Sequence, residues 1–478
     1  MAQMIYDVND TPRTKELIVF AIQQLLAIIA GTITVPILVG LPEMIPAAIL
    51  GCGLGTLAYI FITKRKSPVI LSSNFAFIFA LKIAYEHSGY LGIVLGGILV
   101  GLVYITLSII IRKVGTGWID KFLPPIIIGP VVALIGLTLA TSAMADIVKA
   151  NGYVENGIYP YNLIALLCGL VTFFVVIVCS SQKRNKFLNF TPFLIGIIAG
   201  YMVSLIFSII GYAFDLNYFK IIDFNPLLEN FKNVSVTSFI DYPKFSLLEG
   251  IKEVKNNNVL LSGFGVLEVM LAFIPISLVS FSEHIADHKN LSSIIGHDLL
   301  KDEPGLHRTL LGDGIGSLVG TSFGISPITT YSQSVGCVAL TKNASVKTMI
   351  LTSIFCIVLA FLSPFIALIQ TIPSCVMAGI CLALYGFIAV SGLKMLSGIK
   401  FDEGKNLYTL SVILIAGVGG FILQIPYKFG LITGTNLVGA IKYIEISEIA
   451  VALILGIITY LVSSKIENSK LGRDKDDE

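Results

Sequence analysis

Residues 283–288 bring together two carboxylates and two imidazoles: Glu283, His284, Asp287 and His288. They close a run, "VMLAFIPISLVS", that carries no charge. In a helix, Glu283 and Asp287 fall on one face at i and i+4, and His284 and His288 on the neighbouring face. Two kinds of chemistry suit such a set. A carboxylate deep in an apolar helix can carry a proton, or it can accept a ligand N–H. Glu283 lies deepest and takes either role. Asp287 and His288 follow toward Lys289, where a basic loop is expected to begin; they read as further proton carriers or as markers of the membrane boundary. His284 and His288 have the spacing of paired zinc ligands, but Ile285 stands where the HExxH motif requires its glutamate, so no metal is expected.

Two other stretches could present polar groups to a solute. "SSNFAF" (72–77) and "GISPITTYSQS" (324–334) interrupt apolar runs with Ser, Thr, Asn and Pro. These residues compete for backbone hydrogen bonds and break helices. Irregular backbone at membrane depth survives only where protein or a cavity satisfies it. Helices that restart there would aim their N-terminal N–H groups at a bound polar solute.

The elements that hold these residues follow from composition. The chain has 478 residues, 55% hydrophobic and only 13% charged, against about 25% charged in soluble proteins. With a mean hydropathy of +0.87, most of it must be solvated by lipid. A net charge of +2 gives no field that would attract nucleic acid. The seven cysteines are scattered through apolar segments without a CxxC and read as small packing residues. The polar N-terminus is not a signal peptide.

Fourteen apolar runs are expected to span the membrane, among them 68–85 and 90–111 as the third and fourth, 266–288 as the eighth and 328–342 as the tenth. Most of the 32 Lys and Arg residues fall in alternate loops, which places both termini in the cytoplasm. The halves echo each other. "FLPPIIIGPVVALIG" and "TIPSCVMAGICLALYG" open matching runs at Pro124 and Pro373, and "LSSNFAF" matches "ITTYSQS". Seven spans per half is odd, so the second half enters from the opposite side, as in many secondary transporters. The expected organisation is an all-α polytopic membrane protein: a first inverted repeat at 1–213, an extracellular connection at 214–265, a second repeat at 266–464 and a cytoplasmic tail at 465–478.

The stretch "EHIADHKNLSSIIGHDLLKDEPGLHRTLLGDGIGSLVGTSFGISPITTYSQSVGCVALTK", with "AGTITVPILVG" and "SSNFAF", resembles the nucleobase–ascorbate transporter (nucleobase:cation symporter-2) family, its bacterial uracil permeases most. The resemblance spans nearly the whole chain. It implies a seven-plus-seven inverted repeat with a core domain (spans 1–4 and 8–11) and a gate domain (spans 5–7 and 12–14). It also implies proton-coupled nucleobase import and frequent homodimers. Residue by residue, Glu283 matches the acid that binds the pyrimidine edge. Phe75 and Gly31 match pocket-lining positions, and Tyr331 and Ser332 match the aromatic and backbone contacts of span ten. Gln333 falls where uracil permeases often carry a second Glu and purine permeases carry Gln. Asp287 falls where uracil importers have a His, and Ser334 replaces a signature Asn.

The expectation is a uracil importer of the cytoplasmic membrane working by alternating access, with the proton as coupling ion and sodium the alternative. It is not expected to be an enzyme or to need a cofactor. Glu283, Gln333, Phe75, Tyr331, Ser332 and Gly31 are the expected substrate contacts; Glu283, Asp287 and His288 are the expected proton-coupling groups. A xanthine or purine permease of the same family is the nearer alternative, and an anion transporter of the sulfate-permease type the more distant one.

Overall fold

In lipid every backbone polar group must be paired within the chain, so long apolar runs fold as helices. The computed structural model describes residues 4–119, 124–153, 160–182, 188, 191–256, 263–428 and 441–476. In chain order the elements are α1 (Thr14–Val39), α2 (Ile45–Ile62), β1 (Leu71–Ser73), α3 (Ile78–Val114), α4 (Pro125–Asp146), α5 (Leu163–Ser181) and α6 (Pro192–Ala213). Two short helices follow, α7 (Asn225–Lys232) and α8 (Ser246–Lys255). Then come α9 (Gly263–Ile295), α10 (Leu306–Phe323), β2 (Ile328–Thr330), α11 (Ser332–Thr341), α12 (Val346–Ala360), α13 (Ser363–Gln370), α14 (Ser374–Lys394) and α15 (Gly404–Val418). The chain closes on β3 (Leu423–Lys428), β4 (Ile441–Ile446) and α16 (Glu448–Asp476). Among the described residues nine helical segments are long and apolar enough to cross a membrane, and α12 and α15 are shorter apolar helices.

Two packing groups emerge. In one, α2 and α3 lie against α10, α3 lies against α9, and α12 closes on α1 and α2. In the other, α14 packs on α4 and α5, α5 on α6, and α15 on α16 and α4. Glycine lets the central helices of each group approach at backbone distance. A Cβ on Gly55 would stand 2.7 Å from the Gly316 carbonyl oxygen, and one on Gly129 would stand 2.8 Å from that of Gly392. All seven cysteines are free and buried, as small packing residues are.

The structure corrects the sequence reading at two places. The fold is mostly helical, not purely so: β1 pairs antiparallel with β2, and β3 with β4. The runs 68–85 and 90–111 meet within α3, which is two helices joined at a kink: the backbone is non-helical at Gly89 (φ 57°, ψ −153°), a conformation that only glycine adopts at low cost. α9 continues to Ile295, so Lys289 lies on the helix and begins no loop. Asp287 and His288 lie on this same helix, and both are buried in the protein.

Candidate functional site

The site begins where two helices restart side by side. β1 and β2 align Leu71 with Thr330, Ser72 with Thr329 and Ser73 with Ile328. The three-residue strands are also held by the helices around them: Leu71 N–H donates to Thr56 Oγ1 of α2 at 3.1 Å, and the Ile328 carbonyl accepts from Ser317 Oγ of α10. Beyond β1, the Asn74 side chain accepts the Ala76 N–H at 2.9 Å, which caps the turn Phe75–Phe77 that leads into α3. Beyond β2, Tyr331 is the residue from which α11 departs. The first N–H groups of a helix have no partner within it, and the dipole makes that end positive. Cross-links hold the two starts in place: Asn74 N–H donates to the Pro327 carbonyl at 3.1 Å, and Ile70 N–H to Ser334 Oγ at 3.0 Å.

A cavity of about 410 Å³ opens beside these starts, within the roughly 300–1,000 Å³ of small-molecule sites. Glu283, Asp287 and Asn290 line it from α9 at i, i+4 and i+7. Phe75, Tyr331, Ser332 and Gln333 line it from the two restarts. The opposite wall is apolar and belongs to the other packing group: Val132 and Ile135 from α4, Leu384 and Phe387 from α14. Phe75 meets Tyr385 of α14 edge-on, with centroids 6.5 Å apart. Gly31 supports the aromatic side from α1: a Cβ there would fall 2.1 Å from the Tyr331 hydroxyl and 3.5 Å from the Phe75 ring. A larger recess of about 560 Å³, lined by Glu43, Asp223 and Asp241 among others, contains none of the residues singled out from sequence.

Asp287 ties α9 to the second restart. Its Oδ1 accepts from Ser332 Oγ at 2.6 Å and its Oδ2 from Thr330 Oγ1 at 3.1 Å. The histidines turn the other way. Their rings lie with centroids 4.1 Å apart, tilted 34° to each other, and are buried. His284 Nδ1 lies 2.7 Å from Asp313 Oδ2, and its Nε2 lies 3.1 Å from Thr309 Oγ1. Thr329 Oγ1 donates to the same Asp313 oxygen at 2.7 Å. His288 Nδ1 lies 2.9 Å from the His284 carbonyl, which can only accept, so Nδ1 carries the hydrogen. Its Nε2 lies 2.8 Å from the Tyr59 hydroxyl, which donates to Ser67 Oγ at 2.7 Å, and 3.3 Å from Ser67 Oγ, which can donate to it.

Of the residues predicted from sequence, Glu283, Asp287, Phe75, Tyr331, Ser332 and Gln333 line the cavity, and Gly31 backs it. His288 does not line it. Sequence reasoning passed over Asp313, a fully buried acid in the otherwise apolar "LLGDGIGSLVG". The signal was available, since an ionisable residue inside a membrane segment is a site candidate by default. It also passed over Thr329 and Thr330, whose hydroxyls serve the two aspartates.

With this geometry in hand, comparison with known proteins gives a consistent result. A family model described as the Permease family, that of the nucleobase:cation symporter-2 proteins, matches residues 15–425. The chain is 35% identical over 439 residues to the uracil permease of Bacillus caldolyticus, covering 91% of this chain and 93% of that one. It is 33% identical over 459 residues to the uracil permease of Bacillus subtilis, covering 95% and 94%. Among solved structures, the transmembrane domain of the cyanobacterial bicarbonate transporter BicA superposes with a TM-score of 0.58 at 12% identity, covering 95% of this chain and 98% of that one. At that identity the last likeness concerns the fold alone. Together with its apolar helices, these matches make the chain a multi-pass membrane transporter and not an enzyme.

Proposed function

The chain belongs to the nucleobase:cation symporter-2 permease family, and on that premise we propose that it imports uracil with protons across the cell membrane by alternating access. One observation carries the reading: the Glu283 carboxylate and the starts of two broken helices line one cavity. Uracil presents on one edge an N–H flanked by two carbonyls. Glu283 accepts the N–H. The Gln333 amide and the free N–H groups at the helix starts donate to the carbonyls. Phe75 and Tyr331 cover the ring, and Gly31 sets where Tyr331 can stand. Each polar edge left unpaired in such a site costs about 1–3 kcal/mol, which is how the site rejects a solute of different edge pattern. The two relatives' names point the same way.

Coupling falls to Glu283, the titratable group that meets the substrate, with Asp287 one turn away. The proposed architecture is fourteen spans in two inverted sets of seven, with both termini cytoplasmic. Residues 1–213 and 266–464 form the repeats. The group containing α1–α3 and α9–α12 is the core that carries substrate. The group containing α4–α6 and α14–α16 is the gate, and it supplies the apolar wall and the face on which two copies pair.

The test is uptake of labelled uracil by cells lacking their own uracil permease, with and without excess unlabelled xanthine. Saturable, proton-dependent uptake that resists xanthine is expected. Uptake abolished by xanthine would reassign the cavity to purines and make Gln333 the specificity residue; no uptake of either would sink the proposal.

A further inference from the structure

Helix α8 has three faces, and one of them is apolar and partly exposed among the described residues. At about 100° per residue, Ser246, Gly250 and Glu253 share the face that docks. Ser246 and Gly250 are buried. A Cβ on Gly250 would stand 2.9 Å from the Leu91 nitrogen, and Glu253 Oε2 accepts the Tyr90 N–H at 2.9 Å, next to the break in α3 at Gly89. Glu249 and Lys252 form the second face and pair at 2.6 Å. The third face is Leu247, Leu248, Ile251 and Val254, which are 38%, 48%, 40% and 38% exposed, with the exposed Lys255 at its C-terminal end, where a long side chain can reach from an apolar face back to water.

Leu91, on which α8 rests, indicates what covers that face. It heads a row on α3 made by Leu91, Leu95, Ile98, Leu102 and Ile109, residues that share one side of a helix. Ile98, Leu102 and Ile109 are 38%, 54% and 49% exposed on a helix long and apolar enough to cross the membrane. This is the side that α3 turns to lipid. α8 is seated at its head, on Leu91, through Gly250. Single exposed hydrophobics need no explanation, but four on one arc, on a helix seated at the head of a lipid-facing row and bearing a charged arc beside them, describe a helix lying in a membrane interface.

We propose that α8 is an in-plane membrane anchor. Its Leu247, Leu248, Ile251 and Val254 enter the boundary between headgroups and acyl chains, while Glu249 and Lys252 stay in water. The partner is the lipid surface around α3. The hydrogen bond from Tyr90 to Glu253 and the close seat of Gly250 fix the anchor to α3, and α8 precedes α9, the helix that carries Glu283.

The chain has one tryptophan, Trp118, which permits a direct test in the full-length protein. Trp118→Phe is combined with Ile251→Trp, and separately with Lys252→Trp, and each is reconstituted into phosphatidylcholine–phosphatidylglycerol vesicles. Lipids brominated near the carbonyl end of the acyl chain should quench Trp at 251 strongly and aqueous iodide hardly at all, with the opposite ranking at 252. Should the tryptophan variants not fold, a nitroxide on Ile251→Cys gives the same reading, because the seven native cysteines are buried; collisions with oxygen should exceed those with a soluble nickel complex. Iodide quenching at 251 equal to that at 252 would leave the face in water and overturn the proposal. Shielding of 251 from both quenchers would put protein, such as a second copy of this chain, over the face, and would overturn it too.

Discussion

The two faces of α9 make different use of the same kind of residue. On one, Glu283 and Asp287 line a cavity shared with a second packing group. On the other, one position further along, His284 and His288 are sealed among α2, α9 and α10, and each ring nitrogen already has a partner. Both rows are ionisable and lie at one depth. What separates them is whether the protein completes their hydrogen bonds itself. A group whose bonds are completed by the fold holds the fold; a carboxylate that faces a cavity is available to a ligand. Asp287 stands between these cases, since Ser332 and Thr330 occupy its oxygens while it faces the cavity.

The largest expected effect lies on the sealed face. His284→Ala leaves Asp313, itself fully buried, without its imidazole, and breaking a buried pair this way costs about 3–5 kcal/mol. Melting in detergent should drop by many degrees and the folded yield in membranes should fall, with partial recovery in His284→Gln, which can still donate. A His284→Ala protein as stable as its parent would erase the distinction between the faces. Next comes Glu283→Gln. It should melt like the parent, yet lose about 2–3 kcal/mol of ligand interaction, or roughly 30- to 150-fold in uracil affinity. Its residual uptake should no longer follow the proton gradient. Full accumulation against a gradient with a normal pH dependence would remove Glu283 from coupling.

A smaller effect tests how the cavity face is supported from behind. Gly31→Ala places a methyl where the Tyr331 hydroxyl now sits, so Tyr331 must move. The expected loss is about tenfold in apparent affinity, on the order of 1.4 kcal/mol. Tyr331→Phe removes the clashing oxygen, so the double variant should recover part of that loss, a non-additivity that residues in contact show. Strictly additive losses would mean that Gly31 and Tyr331 act independently.

Much of this arrangement was legible in the sequence, for reasons that differ by element. Lipid demands long apolar helices, so α1, α4 and α14 announce themselves. Ser, Thr, Asn and Pro in "SSNFAF" and "GISPITTYSQS" announced the breaks. That those breaks pair as strands was not legible, because three residues carry no alternation to read. The helical wheel put Glu283 and Asp287 on one face and the histidines on the next, but a wheel does not say which face meets a cavity. His288 was grouped with the carboxylates for coupling; in the structure it lies against Tyr59 and not in the cavity lining. The end of α9 was misplaced because Lys289 looked like a loop. Nothing in "KNLSSII" breaks a helix, and Ser292 Oγ bonds back to the His288 carbonyl at 2.6 Å, a pattern compatible with helix.

The smallest expected effect concerns a carboxylate that is completed by the protein but left in water. Glu303 sits between Lys66 and Lys64, the latter at 2.9 Å, beyond the end of α9. Its hydrogen bonds to Lys66 and Lys64 hold its pKa down to about 2, against about 4.3 in an unfolded chain. A depressed folded value means that the contribution is complete above the unfolded pKa and is lost as pH falls toward the folded one. The clamp is therefore constant from about pH 5 to about pH 8 and fails only below about pH 4. Glu303→Gln should leave the pH profile of uptake superimposable on that of the parent across this range, and being half exposed the clamp should weaken in high salt. A profile displaced by Glu303→Gln would mean that a water-exposed carboxylate shares the proton response assigned to the cavity face of α9, and the contrast between completed and open carboxylates would no longer account for coupling.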